Sequence, residues 1–388
     1  MTEQKIHYPS LDTPAVLVYL NTLEANISDM SRLATEAGVR LRPHIKVHEN
    51  VSIAKMQIDA GACGVEVGAV EQAEAMAEQG IDDIVIAHPN FYGGPKGEIL
   101  KKLLNQSALK LAMVVDMLEQ AEIISQVAQA VGKKIPVLIK VDLGRSSRFG
   151  VLSGEPVLNL ARKLRQLPGI DLVGIYGHEM GVKPTPEGKD EAALEAATIM
   201  AENAKMLRKE GITIEHVSIG ASPTFRSTCR FIKEGKFPEI TEVHPGQCVI
   251  GDIMYMRAGG NIREACAVTV LTTVMSTSHP DWAIIDAGYK TFGADSLIAH
   301  RDTPDFFWDG KPSFGSVQGR PDLWLGRLSA ETSCLYYTDP GKRLNLGQRL
   351  EIVPNNATLV INIHDQIYGV RNGVVEQVIP VTGRGRGN

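Results

Sequence analysis

The chain has 388 residues, 44% apolar and 22% charged, with a formal net charge of -5 at neutral pH. That length supports one large domain or a large domain with a smaller partner. The acidic balance speaks against a binder of nucleic acid or polyanions, and no stretch approaches the ~20 apolar residues of a membrane span.

From residue 14 to about 255, short apolar runs alternate with amphipathic segments. AVLVYL at 15–20 reads as a strand, and NTLE at 21–24 offers Asn21 as a helix cap with Glu24 three residues on. Strand-like runs follow at 40–46, 64–67, 83–87, 112–115, 137–141, 172–176, 216–219 and 240–243. Apolar residues at helical spacing fill most of the gaps, as at 70–79, 117–131, 155–166 and 190–209. Eight or so strands alternating with helices predict a (β/α)8 barrel of TIM type over 14–255. The competing doubly wound dinucleotide fold calls for a GxGxxG opening an early helix, and none occurs.

Beyond residue 256 the helical period fades. Runs at 268–274, 282–286, 348–353, 358–363 and 366–370 read as strands, and Asn372-Gly373 marks a hairpin turn. These predict a β-rich second domain over 256–388, joined by residues 1–13 and carrying an irregular insertion near 300–326. Five scattered cysteines without a CxxC pair argue against a disulfide framework. The amino-terminal residues contain no apolar run of the signal-peptide kind, which makes the cytoplasm the expected compartment.

Several strand ends carry residues suited to chemistry. RLRPHIKVHEN at 40–50 sets Lys46 between His44 and His48, where an amine can form a Schiff base if burial and cationic neighbours such as Arg42 lower its pKa. A solvated loop lysine, or a metal bound by the two histidines, would give the same letters. In VDLGRSSRFG at 141–150, Asp142 can orient a polar network while Arg145 and Arg148 can clamp a carboxylate; solvated loop charges are the alternative. YGHE at 176–179 offers His178 for proton transfer or for stacking on a flat cofactor, or as an ordinary barrel-rim histidine. SIGASPT at 218–224 offers backbone N–H groups and the hydroxyls of Ser222 and Thr224 as a phosphate cradle, although it is not a Walker loop.

RPHIKVH at 42–48 resembles the RPHxKTH signature of fold-type III pyridoxal-phosphate enzymes related to D-threonine aldolase and eukaryotic-type D-serine dehydratase. More distantly, the barrel resembles that of alanine racemase. LDTPAVL at 11–17, VDLGRSSRFG at 141–150, VSIGASPT at 217–224, TEVHPG at 241–246, IDAGYK at 285–290, VPNN at 353–356 and GRGR at 383–386 follow in the same order, so the resemblance spans nearly the whole chain. It implies that Lys46 forms a Schiff base with pyridoxal 5'-phosphate, that Gly220, Ser222 and Thr224 hold the phosphate, and that Arg148 and Tyr176 sit near the ring. It also implies a head-to-tail homodimer in which the second domain completes the partner's site, and an ordered tail with Arg384 and Arg386 engaged.

The departure lies in the second domain. Metal-dependent relatives carry PNHxC or PNHxD, whereas this chain reads PNNAT at 354–358, with Asn356 and Thr358 at the ligand positions. Neither side chain supplies an imidazole, thiolate or carboxylate, so no metal is expected there. The expected reaction is a lyase step on a D-configured 3-hydroxy amino acid, retro-aldol or elimination, with Lys46 and His178 as catalytic residues and no nucleic-acid or membrane partner. A metal-independent racemase, with Tyr289 or Tyr368 as opposite-face base, is the first alternative. A non-catalytic cofactor-binding regulator is the second.

Overall fold

The computed structural model describes residues 8–145, 147–257, 265–294, 307–308 and 311–387. Strand β1 spans Ala15–Tyr19. The barrel strands are β2 (Arg40–Leu41), β3 (Val65–Val67), β4 (Asp83–Ile86), β5 (Lys110–Val115), β6 (Ile135–Asp142), β8 (Ile170–Gly177), β9 (His216–Ile219) and β10 (Glu242–Val243), with a short β7 (Val151–Leu152) beside β6. The helices are α1 (Leu20–Ala37), α2 (Val51–Asp59), α3 (Val70–Glu78), α4 (Pro95–Asn105), α5 (Leu118–Ala130), α6 (Glu155–Leu164), α7 (Pro186–Lys209) and α8 (Phe225–Lys233).

The chain divides into two compact units, one of residues 27–46, 51–246 and 385–388, the other of 1–26, 47–50 and 247–384. In the first, the strands run β2-β10-β9-β8-β6-β5-β4-β3, all parallel, and a His44–Glu66 bridge joins the two ends into a barrel. Helices cover its outside while side chains fill its inside, so its strands read as near-continuous apolar runs. IPVLIKVD of β6 has six of eight residues buried.

The expected (β/α)8 barrel and β-rich second domain are both present, with one strand reassigned. Ala15–Tyr19, expected at the head of the barrel, lies inside the second unit's sheet, antiparallel to residues 268–271 and parallel to 368–370. Four of its five residues are buried, which an interior strand of either sheet satisfies, so its letters named a strand without naming its sheet. Asn21 is not the cap of α1, which starts at Leu20; its amide oxygen and the Glu24 carboxylate both receive Arg371.

The second unit contains β11 (Val268–Ser276), β12 (Trp282–Ile285), β13 (Phe307–Trp308), β14 (Lys311–Pro312), β15 (Gly315–Val317), β16 (Leu323–Leu328), β17 (Ser333–Tyr337), β18 (Arg349–Pro354), β19 (Gln366–Arg371) and β20 (Val374–Pro380). Its main sheet runs β16-β17-β12-β11-β1-β19-β20, with β18 paired to β11 and β15. Asn372 and Gly373 both have positive φ, 51° and 78°, as the expected two-residue hairpin requires. Residues 311–326 of the expected insertion are largely strand. Residues 295–306 and 309–310, residues 1–7 of the amino-terminal arm, and Ser146 lie outside the described residues. In the tail, Arg384 pairs with Asp365, and Arg386 lies 3.7 Å from Glu74.

Candidate active site

Barrel strands deliver their last residues to one mouth, where a cavity of about 170 Å³ is lined by Lys46, Lys140, Arg148, Phe149, Tyr176 and His178, with His44 and His88 beside them. The sequence explains how Lys46 comes to be there. Backbone pairing continues past β2 to His44, whose N–H donates to the Pro245 carbonyl, and the chain then turns through a 3-10 helix at Ile45–Val47. The Lys46 N–H donates to His44 Nδ1 at 3.3 Å, which fixes the turn. Lys46 therefore follows its strand and reaches the cavity from the rim.

The cavity is electrostatically unusual. Desolvation, with Arg148 adding repulsion, holds the Lys46 amine below the usual lysine range, although Glu66 opposes the shift. Lys140, buried on β6, is lowered by desolvation as well, and its Nζ stands 4.8 Å over the Tyr176 ring. Two amines, both lowered from the usual lysine range, thus share one small space. The Tyr176 hydroxyl donates to Glu66 Oε1 at 2.6 Å, and burial lifts the Glu66 carboxyl to about 8, so it is largely protonated at neutral pH. Burial, then Lys46 and Lys140, pushes the His178 imidazole down to about 3. His178 is therefore neutral and a weak base at neutral pH, and its shielded Nδ1 has no hydrogen-bond partner among the described residues.

The wall behind these groups is a ring stack. Tyr176 lies flat on His244 at 4.3 Å and 8°, and His178 stacks on the same ring at 5.9 Å. His244 is held from below, where Ser218 Oγ lies 2.8 Å from its Nδ1 and donates to Glu242.

Lys46, Arg148, Tyr176 and His178 share this cavity. Gly220, Ser222 and Thr224 stand on the adjoining loop, which turns into the amino end of α8. Gly220 has φ +154°, and a Cβ there would lie 3.0 Å from the His244 nitrogen, so only glycine passes. Ser222 Oγ accepts from the Gly246 N–H at 3.0 Å, and Thr224 Oγ1 donates to Glu179 at 3.0 Å. The hydroxyls therefore brace the loop, leaving the helix amino terminus as its anion-binding feature.

Other expectations are corrected. Arg42 points to the opposite barrel mouth, where it pairs with Asp83 and Glu242. His48 accepts from the Asn50 N–H at 3.1 Å. Arg145 is engaged by Glu191 and Glu195 at 3.1 and 2.5 Å, so the carboxylate clamp falls to Arg148, which has no carboxylate partner among the described residues. Asp142 accepts from Gly144 within its own loop at 2.7 Å.

In the second unit, Asn356 caps the helix Ala357–Asn362 by accepting from the Leu359 N–H at 3.3 Å, and Thr358 lies inside that helix. Among the described residues, no group of three or more His, Cys, Asp or Glu is arranged to hold a metal ion. Tyr368 accepts from Gln366 at 2.7 Å, and Tyr289 is exposed, with Phe314 edge-on to its ring at 6.1 Å. Lys140, Glu66 and His244 escaped the sequence reading. Their signal was a charge or imidazole inside, or just after, an otherwise apolar strand.

The donor set suits the expected pyridoxal phosphate. It offers an amine lowered from the usual lysine range, aromatic walls, imidazole nitrogens shielded without hydrogen-bond partners among the described residues, and a glycine loop feeding a helix amino terminus. Comparison with known proteins agrees. Residues 18–253 match the family model described as alanine racemase, N-terminal domain, and residues 267–370 match a putative serine dehydratase domain. The chain is 30% identical to D-threonine aldolase of Arthrobacter sp over 379 residues, covering 97% of this chain and 93% of that one. It is also 30% identical to D-threo-3-hydroxyaspartate dehydratase of Delftia sp. (strain HT23), covering 90% and 91%. The crystal structure of D-threonine aldolase from Filomicrobium marinum superimposes with a TM-score of 0.84 at 28% identity, covering 98% and 99%. Among the described residues, no helix is long and apolar enough to cross a membrane. The chain belongs to the alanine racemase-like family of fold-type III pyridoxal-phosphate enzymes, in the group of D-threonine aldolases and D-serine dehydratases.

Proposed function

We propose that this protein is a pyridoxal-phosphate-dependent lyase acting on D-configured 3-hydroxy amino acids, with Lys46 as the residue that holds the cofactor. The observation that carries the assignment is Lys46 on its 3-10 turn, with a lowered amine pKa, opening into an aromatic-walled cavity at the catalytic end of the barrel. When bound, pyridoxal phosphate supplies an electron sink for negative charge developing at the substrate Cα. The Gly220–Thr224 loop holds its phosphate at the amino end of α8. Tyr176, fixed between Glu66 and His244, sets the plane against which the ring packs.

Arg148, with no competing carboxylate, takes the substrate carboxylate. The Lys46 amine would be the group that moves a proton to or from the substrate Cα. A neutral His178 would accept a hydrogen bond from the 3-hydroxyl through Nδ1, with the hydroxyl proton passing to solvent in a retro-aldol cleavage; in elimination, the same hydroxyl must leave protonated. The family resemblance further supports a homodimer whose second domain completes the partner's site. Because Asn356 and Thr358 take the positions of the relatives' ligands, turnover is expected to proceed without an added divalent ion.

Borohydride reduction followed by peptide mass mapping tests the assignment of Lys46. The expected adduct is on Lys46, absent in Lys46→Ala; an adduct on Lys140 instead would overturn it. Incubation with D- and L-3-hydroxy amino acids, with and without chelator, tests the reaction. Aldehyde or oxo-acid from the D-series, insensitive to chelator, is expected. Interconversion of enantiomers without either product would replace the lyase with a racemase, and full loss on chelation would overturn metal independence.

A further inference from the structure

The barrel has a second cavity at its other mouth, where the strands begin. It encloses about 470 Å³, within the roughly 300–1,000 Å³ of small-molecule sites. Its inner wall is apolar, formed by Val85, Ala112, Leu138 and Val173 on four adjacent strands. These four side chains belong to one packed layer of the barrel core, and the cavity lies between that layer and the rim.

The rim is cationic. Five lysines and arginines line the cavity against two carboxylates, an excess of three positive charges on a chain whose formal net charge is -5. The carboxylates are already satisfied. Arg42 binds Asp83 at 2.6 Å and Glu242 at 3.1 Å, and Arg40 stands 3.6 Å from Glu242 while donating to His216 Nδ1. The excess therefore falls on lysines. Lys133 donates only to the Leu104 carbonyl, and Lys110 and Lys134 have no carboxylate partner among the described residues.

A bare inorganic anion would leave the apolar wall wet, and an apolar molecule would leave the lysines idle. We propose that the amino-terminal mouth of the barrel is a second ligand site, separate from the Lys46 cavity, for a small organic anion. Its apolar body lies against Val85, Ala112, Leu138 and Val173, and its carboxylate or phosphate lies among Lys110, Lys133 and Lys134. Clustered cations focus such a ligand toward the opening. The proposal does not depend on which reaction the other mouth performs.

Calorimetric titration of borohydride-reduced holoenzyme with phenyl phosphate tests it, because reduction closes the Lys46 cavity to the probe. Mass analysis of the same sample shows separately whether the cofactor is attached. One saturable site per chain is expected, with inorganic phosphate and benzyl alcohol each bound roughly tenfold more weakly or worse. The double variant Lys110→Glu/Lys134→Glu changes two exposed side chains, so folding is retained, and it should weaken phenyl phosphate roughly tenfold or more. No saturable binding, equal binding of inorganic phosphate, or full binding to the double variant would overturn the site.

Discussion

Arg145 and Arg148 are three residues apart in one loop, yet their surroundings assign them different work. Arg145 is held by Glu191 and Glu195 on α7, whereas Arg148 lines the cavity with no carboxylate partner among the described residues. Arg148→Ala should raise KM for a D-3-hydroxy amino acid about 10- to 100-fold with a smaller effect on kcat, the mark of lost carboxylate binding. Arg145→Ala should leave KM within about twofold. Steady-state kinetics on the two variants decides, and equal effects would remove Arg148 from the substrate site.

Glu66 makes a prediction in pH. Its carboxyl keeps its proton to about 8 in the fold but releases it near 4.5 when unfolded, chiefly because of burial. The unfolded chain binds fewer protons across that window, so stability falls as pH rises, at most ~1.4 kcal/mol per pH unit. His178 acts in the opposite sense between about 3 and 6.5, stability there rising with pH. The two slopes offset each other from 4.5 to 6.5, and the Glu66 loss emerges above. Glu179, raised by burial to about 7, adds to that loss. Glu66→Gln, which still accepts from Tyr176, should make the decline of the urea midpoint of cofactor-free protein between pH 6.5 and 8 shallower. An unchanged decline would mean that Glu66 is already ionised.

At the scale of elements, Asn356 shows how one substitution changes what a loop does. With β-region φ and ψ of -138° and 100° and its side chain on the Leu359 N–H, it starts the helix Ala357–Asn362 as an ordinary cap. Asn356→Ala should cost about 1 kcal/mol, whereas Asn356→Ser should cost little, as thermal unfolding would show. Equal melting temperatures for Asn356→Ala and the parent would remove the capping role. Much of this architecture was legible in the letters. The runs at 137–141, 172–176 and 216–219 lie within barrel strands because the inside and outside faces are both buried, which leaves an apolar signature. Lys46 was singled out by the resemblance of RPHIKVH to the family signature, since its spacing alone fitted a solvated loop lysine as well. Other features were not. Helices α2, α4 and α8 have short, broken apolar periods, and α4 opens on Pro95 after Gly94 with positive φ, which reads as loop. Glu66 and Lys140 each look like a stray charge in a strand, and only barrel closure brings both to Tyr176.

For the whole molecule, the two-unit design has a consequence for assembly. The Lys46 cavity is lined by barrel residues, while Tyr289, a candidate opposite-face base, is exposed on the second unit. If a partner's second domain completes each site, a chain defective at Lys46 still offers an intact second domain, and a chain defective there still offers an intact Lys46. Lys46→Ala and Tyr289→Phe should each be impaired alone. Mixed after mild dissociation and reassembly, they should regain part of the parent activity, because some dimers then contain one site with both parts intact. Light scattering should place the parent at twice the 42.1 kDa chain mass. A full-sized dimer that shows no regained activity would mean that each barrel works without its neighbour, and a monomer at working concentration would remove the shared site altogether.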